Sequence, residues 1–269
     1  MVTARLHHGI FLPPYDDFAE PWRVLEAARL AEDRGWDGLF LWDHVQRPEV
    51  CPVADPWVLL AAIATVTQRL RIGPMITPLV RRRPQKLARE IVTLDHLSRG
   101  RLVVGLGLGV DTGRELSAFG EVVDPAVRGR MLDEGLEVLD GLLSGEEVSH
   151  RGEFYTADGV QFLPTPVHPG GVPIWLAART TAHAPLRRAA RHDGLFPIEV
   201  GPEEVIAMLD VVTSHRGSLE GFDVATMSGP GRDPAEFAAA GVTWWMSSAM
   251  PGDSFSDVMA VIEAGPLAH

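Results

Sequence analysis

The sequence predicts a closed (β/α)8 TIM barrel, and three observations support this fold class. Short apolar runs typical of buried strands alternate with amphipathic segments typical of helices. Eight such runs, nearly all followed by a helix, fit within 269 residues. No GxGxxG glycine fingerprint opens the first helix, which disfavours the alternative, an open doubly wound sheet.

The clearest strand–helix–strand unit covers residues 69–111. An apolar run at residues 70–77 is closed by Pro78, and the next helix is predicted over residues 85–97, with Gly100 in the C′ position. A second apolar run follows at residues 102–106. Because the helix carries the chain back to the starting edge, the two strands must be parallel.

The remaining elements follow from the same patterns. The other strands are predicted at residues 8–12, 38–42, 173–177, 194–198, 222–227 and 242–247. The other helices are predicted at residues 22–34, 57–67, 127–143, 182–191, 202–214, 234–240 and 255–264. Residues 110–172 form an excursion between the fourth and fifth strands, with short β-like pieces at residues 148–150 and 154–156. This excursion is too short and too polar for a second domain, so residues 1–269 are interpreted as a single domain.

Composition narrows the function classes. The net charge of -12 argues against a nucleic-acid or anionic-membrane partner, because both need basic surfaces. A single cysteine, Cys51, excludes a disulfide framework and suggests a reducing compartment. The sequence shows neither a signal peptide nor a run of about 20 apolar residues, so we expect a cytoplasmic protein without membrane spans.

Polar and glycine residues gather where the predicted strands end. In a parallel barrel the chemistry is found at this carboxyl-terminal face. The residues concerned are Asp43, His44, Thr77, Pro78, Gly105, Gly107, Gly109, Ala178, Arg179, Thr180, Thr181 and Glu199. We therefore expect the functional site at this end of the barrel.

His44 is the candidate catalytic acid or base, since a histidine can exchange a proton near neutral pH. Asp43 can orient it or act itself. The alternative is a histidine satisfied by a loop carbonyl. For the turn after the fifth strand, Thr180 or Thr181 is predicted to cap the next helix, and Arg179 adds a positive charge, so an anion could bind there.

Three further groups have structural interpretations. The basic run Arg81, Arg82, Arg83 and Lys86 is interpreted as a solvated helix entry, with a clamp for an anionic cofactor tail as the alternative. Asp95 and Arg101 are interpreted as a brace across a helix–strand turn. Trp42, Trp175, Trp244 and Trp245 lie on strands, and some of them should face the barrel interior or its mouth.

The chain resembles the luciferase-like monooxygenase superfamily, whose members use FMN or the deazaflavin coenzyme F420. The resemblance covers most of the chain and is carried by the segments TPLVRRRPQKLARE, TLDHLSRGR, GLGLG, RGRMLDEGLEVLDGLLSG, SHRGEFY and PTPVHPGGVPIWLAA. It implies that Asp43 and His44 match an acid/base pair of the deazaflavin-dependent members. It also implies frequent homodimers, for which the apolar helix at residues 57–67 could supply a face.

The resemblance also implies cofactor-binding positions. Backbone amides of Ala178, Arg179, Thr180 and Thr181 would bind the cofactor phosphate, and Gly107 and Gly109 would lie near the ribityl chain or the pyrimidine edge. Met75, Ile76 and Thr77 would lie behind the central ring, with a non-proline cis peptide between Pro74 and Met75. Val110 stands where relatives that oxidise sugar phosphates carry a carboxylate, which argues against that activity.

Three hypotheses about the function follow from these features. The leading hypothesis is a flavin- or deazaflavin-dependent oxidoreductase or monooxygenase that acts on a small organic substrate, with His44 as the proton donor or acceptor. A metal-dependent hydrolase would need several His and Asp ligands at strand ends, whereas His7 and His8 fall at the start of the first strand, on the opposite face. The third possibility is a non-catalytic flavin-binding barrel that serves as a carrier or sensor.

Overall fold

The computed structural model describes residues 5–250 and 252–266. Its strands are β1 His7–Leu12, β2 Gly38–Leu41, β3 Arg71–Pro74, β4 Thr77–Pro78, β5 Val104–Gly107, β6 Glu147–Arg151, β7 Thr156–Gln161, β8 Ile174–Ala178, β9 Gly194–Pro197, β10 Asp223–Met227 and β11 Trp244–Ser248. Its α-helices are α1 Pro21–Asp33, α2 Pro56–Val66, α3 Pro84–Ser98, α4 Pro125–Ser144, α5 His183–Ala189, α6 Pro202–Arg216, α7 Pro234–Ala239 and α8 Phe255–Ala264. Short 3-10 helices cover Asp16–Ala19, Leu79–Arg81 and Ser117–Phe119.

The barrel sheet has the strand order β3-β2-β1-β11-β10-β9-β8-β5-β4, and its ladders are parallel. β3 and β4 are two halves of one barrel strand, and both halves reach the strand that contains β5. Ile72 bridges to Leu102, and Thr77 pairs with Leu106. These contacts close the sheet, which confirms the predicted (β/α)8 barrel and excludes the open doubly wound alternative.

The predicted third strand is interrupted by a cis peptide between Met75 and Ile76. The sequence-based prediction, a cis bond between Pro74 and Met75, is wrong by one residue. Pro74 still lies opposite Leu41 in the ladder, and the Met75 N–H donates to the Leu41 carbonyl at 2.7 Å. Strand pairing therefore extends through the amide of Met75, and the chain leaves the ladder only after it.

Large aromatic side chains fill the barrel interior because glycines stand opposite them. Phe40, Trp175 and Trp244 belong to one buried interior cluster. A Cβ on Gly38 would lie 2.8 Å from the Phe40 ring, and one on Gly194 would lie 2.4 Å from the Trp175 ring. Two of the four strand tryptophans thus face inward. Trp42 packs against the top of this cluster, and Trp245 instead contacts Phe237 of α7.

The excursion after β5 consists of a long loop, α4 and an antiparallel hairpin. α4 packs against α3 and serves as the helix of the fourth barrel unit. β6 and β7 pair outside the barrel sheet. The predicted β-like piece at residues 154–156 is misplaced, because residues 152–155 form the hairpin turn and the second strand begins at Thr156.

Arg101 and Asp95 have structural roles, as predicted, but each braces a different element. The Arg101 guanidinium donates to the carbonyls of Ala64, Thr67 and Leu70 at 2.8–3.0 Å, which satisfies the carboxyl end of α2. Asp95 is fully buried and accepts backbone N–H groups of the loop before β8, from Val167 at 2.7 Å and His168 at 3.1 Å.

His192 makes the stability of the barrel depend on pH. It is 7% exposed, and burial, with help from Arg191 and Arg188, lowers its pKa from 6.5 to about 4 although Asp193 opposes the shift. The unfolded chain takes up a proton below about pH 6.5 whereas the folded chain does not. The free energy of unfolding therefore falls as the pH drops from 6.5 towards 4, by up to about 3 kcal/mol.

Replacement of His192 by Gln should remove this part of the pH dependence. We expect urea unfolding at pH 7.5 and pH 5 to show a smaller difference for the variant than for the wild type. His215→Gln, at an exposed helical position, is the control and should keep the wild-type difference. An unchanged pH dependence in His192→Gln would contradict the assignment.

Candidate active site

The carboxyl-terminal ends of β2, β4 and β5 bring together a buried charged network. Asp43 and His44 follow β2, and Arg81 and Arg82 lie just after β4. Glu115 comes from the loop after β5, 71 residues beyond His44. Parallel strands end at the same face of the barrel, so residues that are distant in sequence meet there.

Asp43 is a buried counter-ion. It is 2% exposed, and one carboxylate oxygen accepts the Thr77 hydroxyl at 2.6 Å, the Trp57 indole N–H at 3.2 Å and Arg82 at 2.9 Å. The other oxygen accepts Arg81 at 2.8 Å. The expectation that Asp43 orients His44 is therefore wrong for this arrangement, because the Asp43 carboxylate is committed to these four partners.

The carboxylate that holds His44 belongs to Glu115. His44 Nδ1 hydrogen-bonds to Glu115 Oε1, and Glu115 Oε2 accepts the Val45 N–H at 2.9 Å and Arg81 at 2.8 Å. Burial alone would raise the pKa of Glu115, but its bonds to His44 and Val45 and the charge of Arg81 hold the pKa below its ordinary value. Because an ionised carboxylate only accepts, His44 Nδ1 donates, and in the neutral form of the imidazole the lone pair is then on Nε2.

His44 remains reachable although its partner is buried. Its side chain is 25% exposed, whereas that of Glu115 is 3% exposed. Nε2 has no hydrogen-bond partner among the described residues and is not enclosed. The imidazole is thus fixed on one side and open on the other, which is the arrangement that a proton-transfer group needs.

Two of the four residues of the basic run, Arg81 and Arg82, do not form the solvated helix entry that was predicted. The side chains of Arg81 and Arg82 are 10% and 19% exposed, and both pair with Asp43. Arg81 also bridges to Glu115, so it ties the two carboxylates together. Arg83 is exposed, and Lys86 is 71% exposed. These two residues fit the original interpretation.

Loop residues and α4 hold the network in place. Asp111 accepts the N–H groups of Leu116 at 2.8 Å and Ser117 at 3.0 Å, which fixes the turn after Glu115. From α4, Arg128 is 7% exposed and donates to the carbonyls of Leu108 at 3.2 Å and Gly109 at 2.9 Å. Arg128 therefore anchors the end of the glycine-rich strand.

The barrel mouth offers an apolar floor for a flat ring. Trp42, Ile76, Ile198 and Met227 are partly buried and pack on the interior cluster from above. The Trp42 indole N–H is buried without a partner among the described residues, so it can donate to a ligand. The set of apolar faces, one free donor and one imidazole suits a flavin or deazaflavin ring.

The glycines at the end of β5 leave room beside this floor. A Cβ on Gly107 would lie 2.8 Å from Ile76, and one on Gly109 would lie 2.8 Å from Pro78. Gly109 also has φ = 68°, a conformation that favours glycine. Met75 is 2% exposed and fills the interior below, and the side chain of Thr77 is directed to Asp43. Of the Met75–Thr77 segment, only Ile76 lies in the partly buried layer at the mouth.

The turn after β8 differs from its predicted form. The N-cap of α5 is Ala182, and neither threonine caps the helix; Thr180 instead accepts the Ala182 N–H within the turn at 3.3 Å. Arg179 pairs with Glu199 of the next strand end, so its charge is already engaged. Ala178 is buried, and Thr180 and Thr181 are exposed. An anion here would have to bind through backbone N–H groups.

No spacing pattern in the sequence identifies Glu115 or Arg128 as site residues, because a loop and a helix far along the chain bring them to the site. Within residues 5–250 and 252–266, no group of three or more His, Cys, Asp and Glu residues could hold a metal ion. In the same part of the chain, no helix combines the length and the apolar character needed to cross a membrane.

The family model for luciferase-like monooxygenase matches residues 5–248. Uncharacterized protein Rv0953c of Mycobacterium tuberculosis (strain ATCC 25618 / H37Rv) is 33% identical over 281 residues, which cover 96% of this chain and 96% of that protein.

The solved structures that share the fold include two that span almost the whole chain. One is an F420-dependent secondary alcohol dehydrogenase in complex with an F420-acetone adduct, with a TM-score of 0.81, 18% identity, and coverage of 97% of this chain and 98% of that chain. The other is monooxygenase RslO1 from Streptomyces bottropensis, with a TM-score of 0.75, 22% identity and coverage of 96% of both chains. The family match, which extends over most of the barrel, confirms the resemblance found in the sequence: the chain belongs to the luciferase-like monooxygenase family of oxidoreductases.

Proposed function

We propose that the chain catalyses hydride transfer between a small organic substrate and FMN or coenzyme F420, and that His44 moves the accompanying proton. The observation that carries this proposal is the imidazole bonded through Nδ1 to the buried Glu115, with Nε2 open to the mouth. Structural relatives support a cofactor of the flavin or deazaflavin type, since one is an F420-dependent dehydrogenase and another is a monooxygenase.

His44 and Glu115 divide the proton chemistry between them. When bound at the mouth, the cofactor would accept or deliver the hydride. His44 Nε2 would take the proton of a substrate hydroxyl as the hydride leaves the adjacent carbon, or return it in the reverse direction. Glu115 stays ionised beside Arg81 and stabilises the imidazolium that forms. It acts on the substrate only through His44 and is therefore a positioning residue.

The cofactor would lie on the floor formed around Ile76. Gly107 and Gly109 would allow the ring or ribityl chain to approach the backbone, and the segment from Met75 to Thr77 would support the ring from behind. For the phosphate, the backbone N–H groups of Ala178, Arg179, Thr180 and Thr181 are proposed, without the helix-capping threonine first expected. Asp43 contributes indirectly, by fixing Arg81 and Arg82 beneath the site.

The first test is direct titration of the purified apo-protein with FMN and, separately, with coenzyme F420, followed by cofactor fluorescence. We expect saturable binding of one cofactor, which then serves in a screen of small alcohols. In single-turnover assays, His44→Ala should slow cofactor reduction by about 10²–10⁴-fold and leave cofactor affinity within about twofold. Turnover at wild-type rate in His44→Ala would refute the assignment, whereas binding without any turnover would favour the carrier or sensor.

The role of Glu115 has its own signature. Glu115→Gln keeps the shape of the side chain but removes the charge that stabilises the imidazolium. We expect the pH–rate profile to change shape and the rate to fall by about tenfold or more, with cofactor affinity retained. An unchanged pH–rate profile would show that Glu115 does not act through His44. Glu137→Gln, on the exposed face of α4, is the matched control and should leave the profile in place.

We further propose a single-domain, cytoplasmic homodimer with a small-molecule substrate and no nucleic-acid partner. The apolar helix α2 supports the dimer, since Val58 is 70% exposed on it. Light scattering of the purified protein, compared with Val58→Asp, tests this assembly. A monomeric wild type would exclude it.

A further inference from the structure

A second polar cavity lies next to the charged network. It is bordered by the 3-10 helix after β4, by α4 and by the turn between β6 and β7.

 The cavity measures ≈ 220 Å³. The residues that line it include three arginines, Arg81, Arg82 and Arg83, and one acidic residue, Glu121. None of the steps proposed above uses this space.

The charge of Arg83 is uncompensated. Arg81 and Arg82 pair with carboxylates of the network, whereas the Arg83 guanidinium has no hydrogen bond or ion pair among the described residues. Arg83 is also the N-cap of α3, a helix of 15 residues that begins at Pro84. The positive end of the helix dipole therefore adds to the charge of the guanidinium at this point.

A tyrosine with an unpartnered hydroxyl lines the same cavity, and the charges that act on this hydroxyl include Arg83 and Glu121 of the lining. Tyr155 is 8% exposed, and its hydroxyl oxygen is buried with no hydrogen-bond partner in the described part of the chain. Burial raises the pKa of Tyr155, so the phenol keeps its proton and can donate. A buried polar group of this kind is normally satisfied, which points to a ligand that accepts a hydrogen bond.

We propose that this cavity binds a small anionic group, a phosphate or a carboxylate, between the Arg83 guanidinium and the Tyr155 hydroxyl. Val80, Met131 and Phe154 form the apolar part of the lining and can receive the hydrocarbon portion of the ligand. Glu121 opposes a high negative charge, which favours a group of low charge over a polyanion. The anionic tail of a deazaflavin and a free small anion share this chemistry. Only the first of these sources, the deazaflavin tail, rests on the proposed function.

Calorimetric titration with inorganic phosphate and with acetate, at constant ionic strength, tests the cavity without any cofactor. We expect saturable binding of at least one of these anions, weakened about tenfold by Arg83→Gln and several-fold by Tyr155→Phe. Glu121→Gln should strengthen binding about threefold, because it removes the opposing charge. Lys86→Gln removes the same charge as Arg83→Gln from a residue outside the lining, and it should change affinity by less than about twofold.

Coenzyme F420 and its parent deazaflavin without phosphate or glutamates then identify the source. If the cofactor tail occupies the cavity, Arg83→Gln weakens binding of F420 but not of the parent, and phosphate competes with F420. If the source is a free anion, Arg83→Gln binds F420 and the parent deazaflavin as tightly as the wild type does, and phosphate binds together with either cofactor. Absence of saturable anion binding, or equal effects of Arg83→Gln and Lys86→Gln, overturns the proposal. If the protein binds the anion but neither FMN nor F420, the anion site is supported and the proposed function is refuted.

Discussion

Replacement of Gly73 by Ala should prevent the barrel from closing. A Cβ at this position would lie 1.8 Å from the Val103 carbonyl oxygen, far inside any van der Waals contact, and the obstacle is backbone. Gly73 follows Ile72, whose carbonyl accepts the Val103 N–H at 2.9 Å. Relief of the overlap would therefore pull apart the contact between β3 and the strand that contains β5. We expect a loss of more than about 4 kcal/mol in the free energy of unfolding, or no soluble folded protein.

Gly129→Ala provides the matched control, since it makes the same chemical change within α4. A Cβ there meets no atom within 4 Å, and the residue is helical. The substitution should leave stability unchanged or raise it by about 0.5–1 kcal/mol, because alanine favours a helix over glycine. Urea unfolding of both variants measures the difference. A Gly73→Ala protein with a near wild-type midpoint would show that β3 and its neighbour can separate at little cost.

The barrel could be predicted from the sequence because its signals are local and repeated. Each buried strand carries its own apolar run, and helix ends such as Gly100, with φ = 79°, show their caps directly. The break between β3 and β4 was harder to place. Its position depends on the ladder contact between Met75 and Leu41, and that contact is formed only when β2 and β3 are aligned.

The candidate site was predicted only in part. His44 could be proposed from its position at a strand end, because that position is a property of the local sequence. Its partner could not be chosen among many carboxylates, since the loop after β5 brings Glu115 back over 71 residues. Asp43 was adjacent in sequence and was therefore the obvious partner, yet successive side chains after a strand diverge. The Asp43 side chain lies in the buried network, and the His44 side chain is open to the barrel mouth.

The basic run shows why burial is hard to infer from composition. Four cations in six residues are typical of a solvated helix entry, and the spacing alone gave no reason to bury two of them. Burial of Arg81 and Arg82 becomes favourable only because Asp43 and Glu115 are buried beside them. The paired charges come from separate parts of the chain, so the pattern is visible only after folding.

Arg81→Met should destabilise the folded chain strongly, because Arg81 is the cation that bridges two buried carboxylates. The Asp43 and Glu115 side chains are 1% and 3% exposed, and each accepts one guanidinium nitrogen at 2.8 Å. Without Arg81, Asp43 keeps Arg82, but Glu115 keeps only His44 and the Val45 N–H. We expect a loss of about 3–5 kcal/mol in the free energy of unfolding at pH 7.5.

The loss should depend on pH in a defined direction. Removal of Arg81 raises the pKa of Glu115 in the folded state relative to the wild type. The folded variant therefore takes up a proton at Glu115 more readily as the pH falls. The difference in the free energy of unfolding between wild type and variant shrinks accordingly. Glu115→Gln in the Arg81→Met background should recover part of the loss at pH 7.5, because it removes the stranded charge. Lys86→Met, at a side chain that is 71% exposed, is the control and should cost less than about 0.5 kcal/mol. A loss below about 1 kcal/mol for Arg81→Met, or one that does not vary with pH, would mean that solvent reaches both carboxylates and that the network does not hold His44 in place.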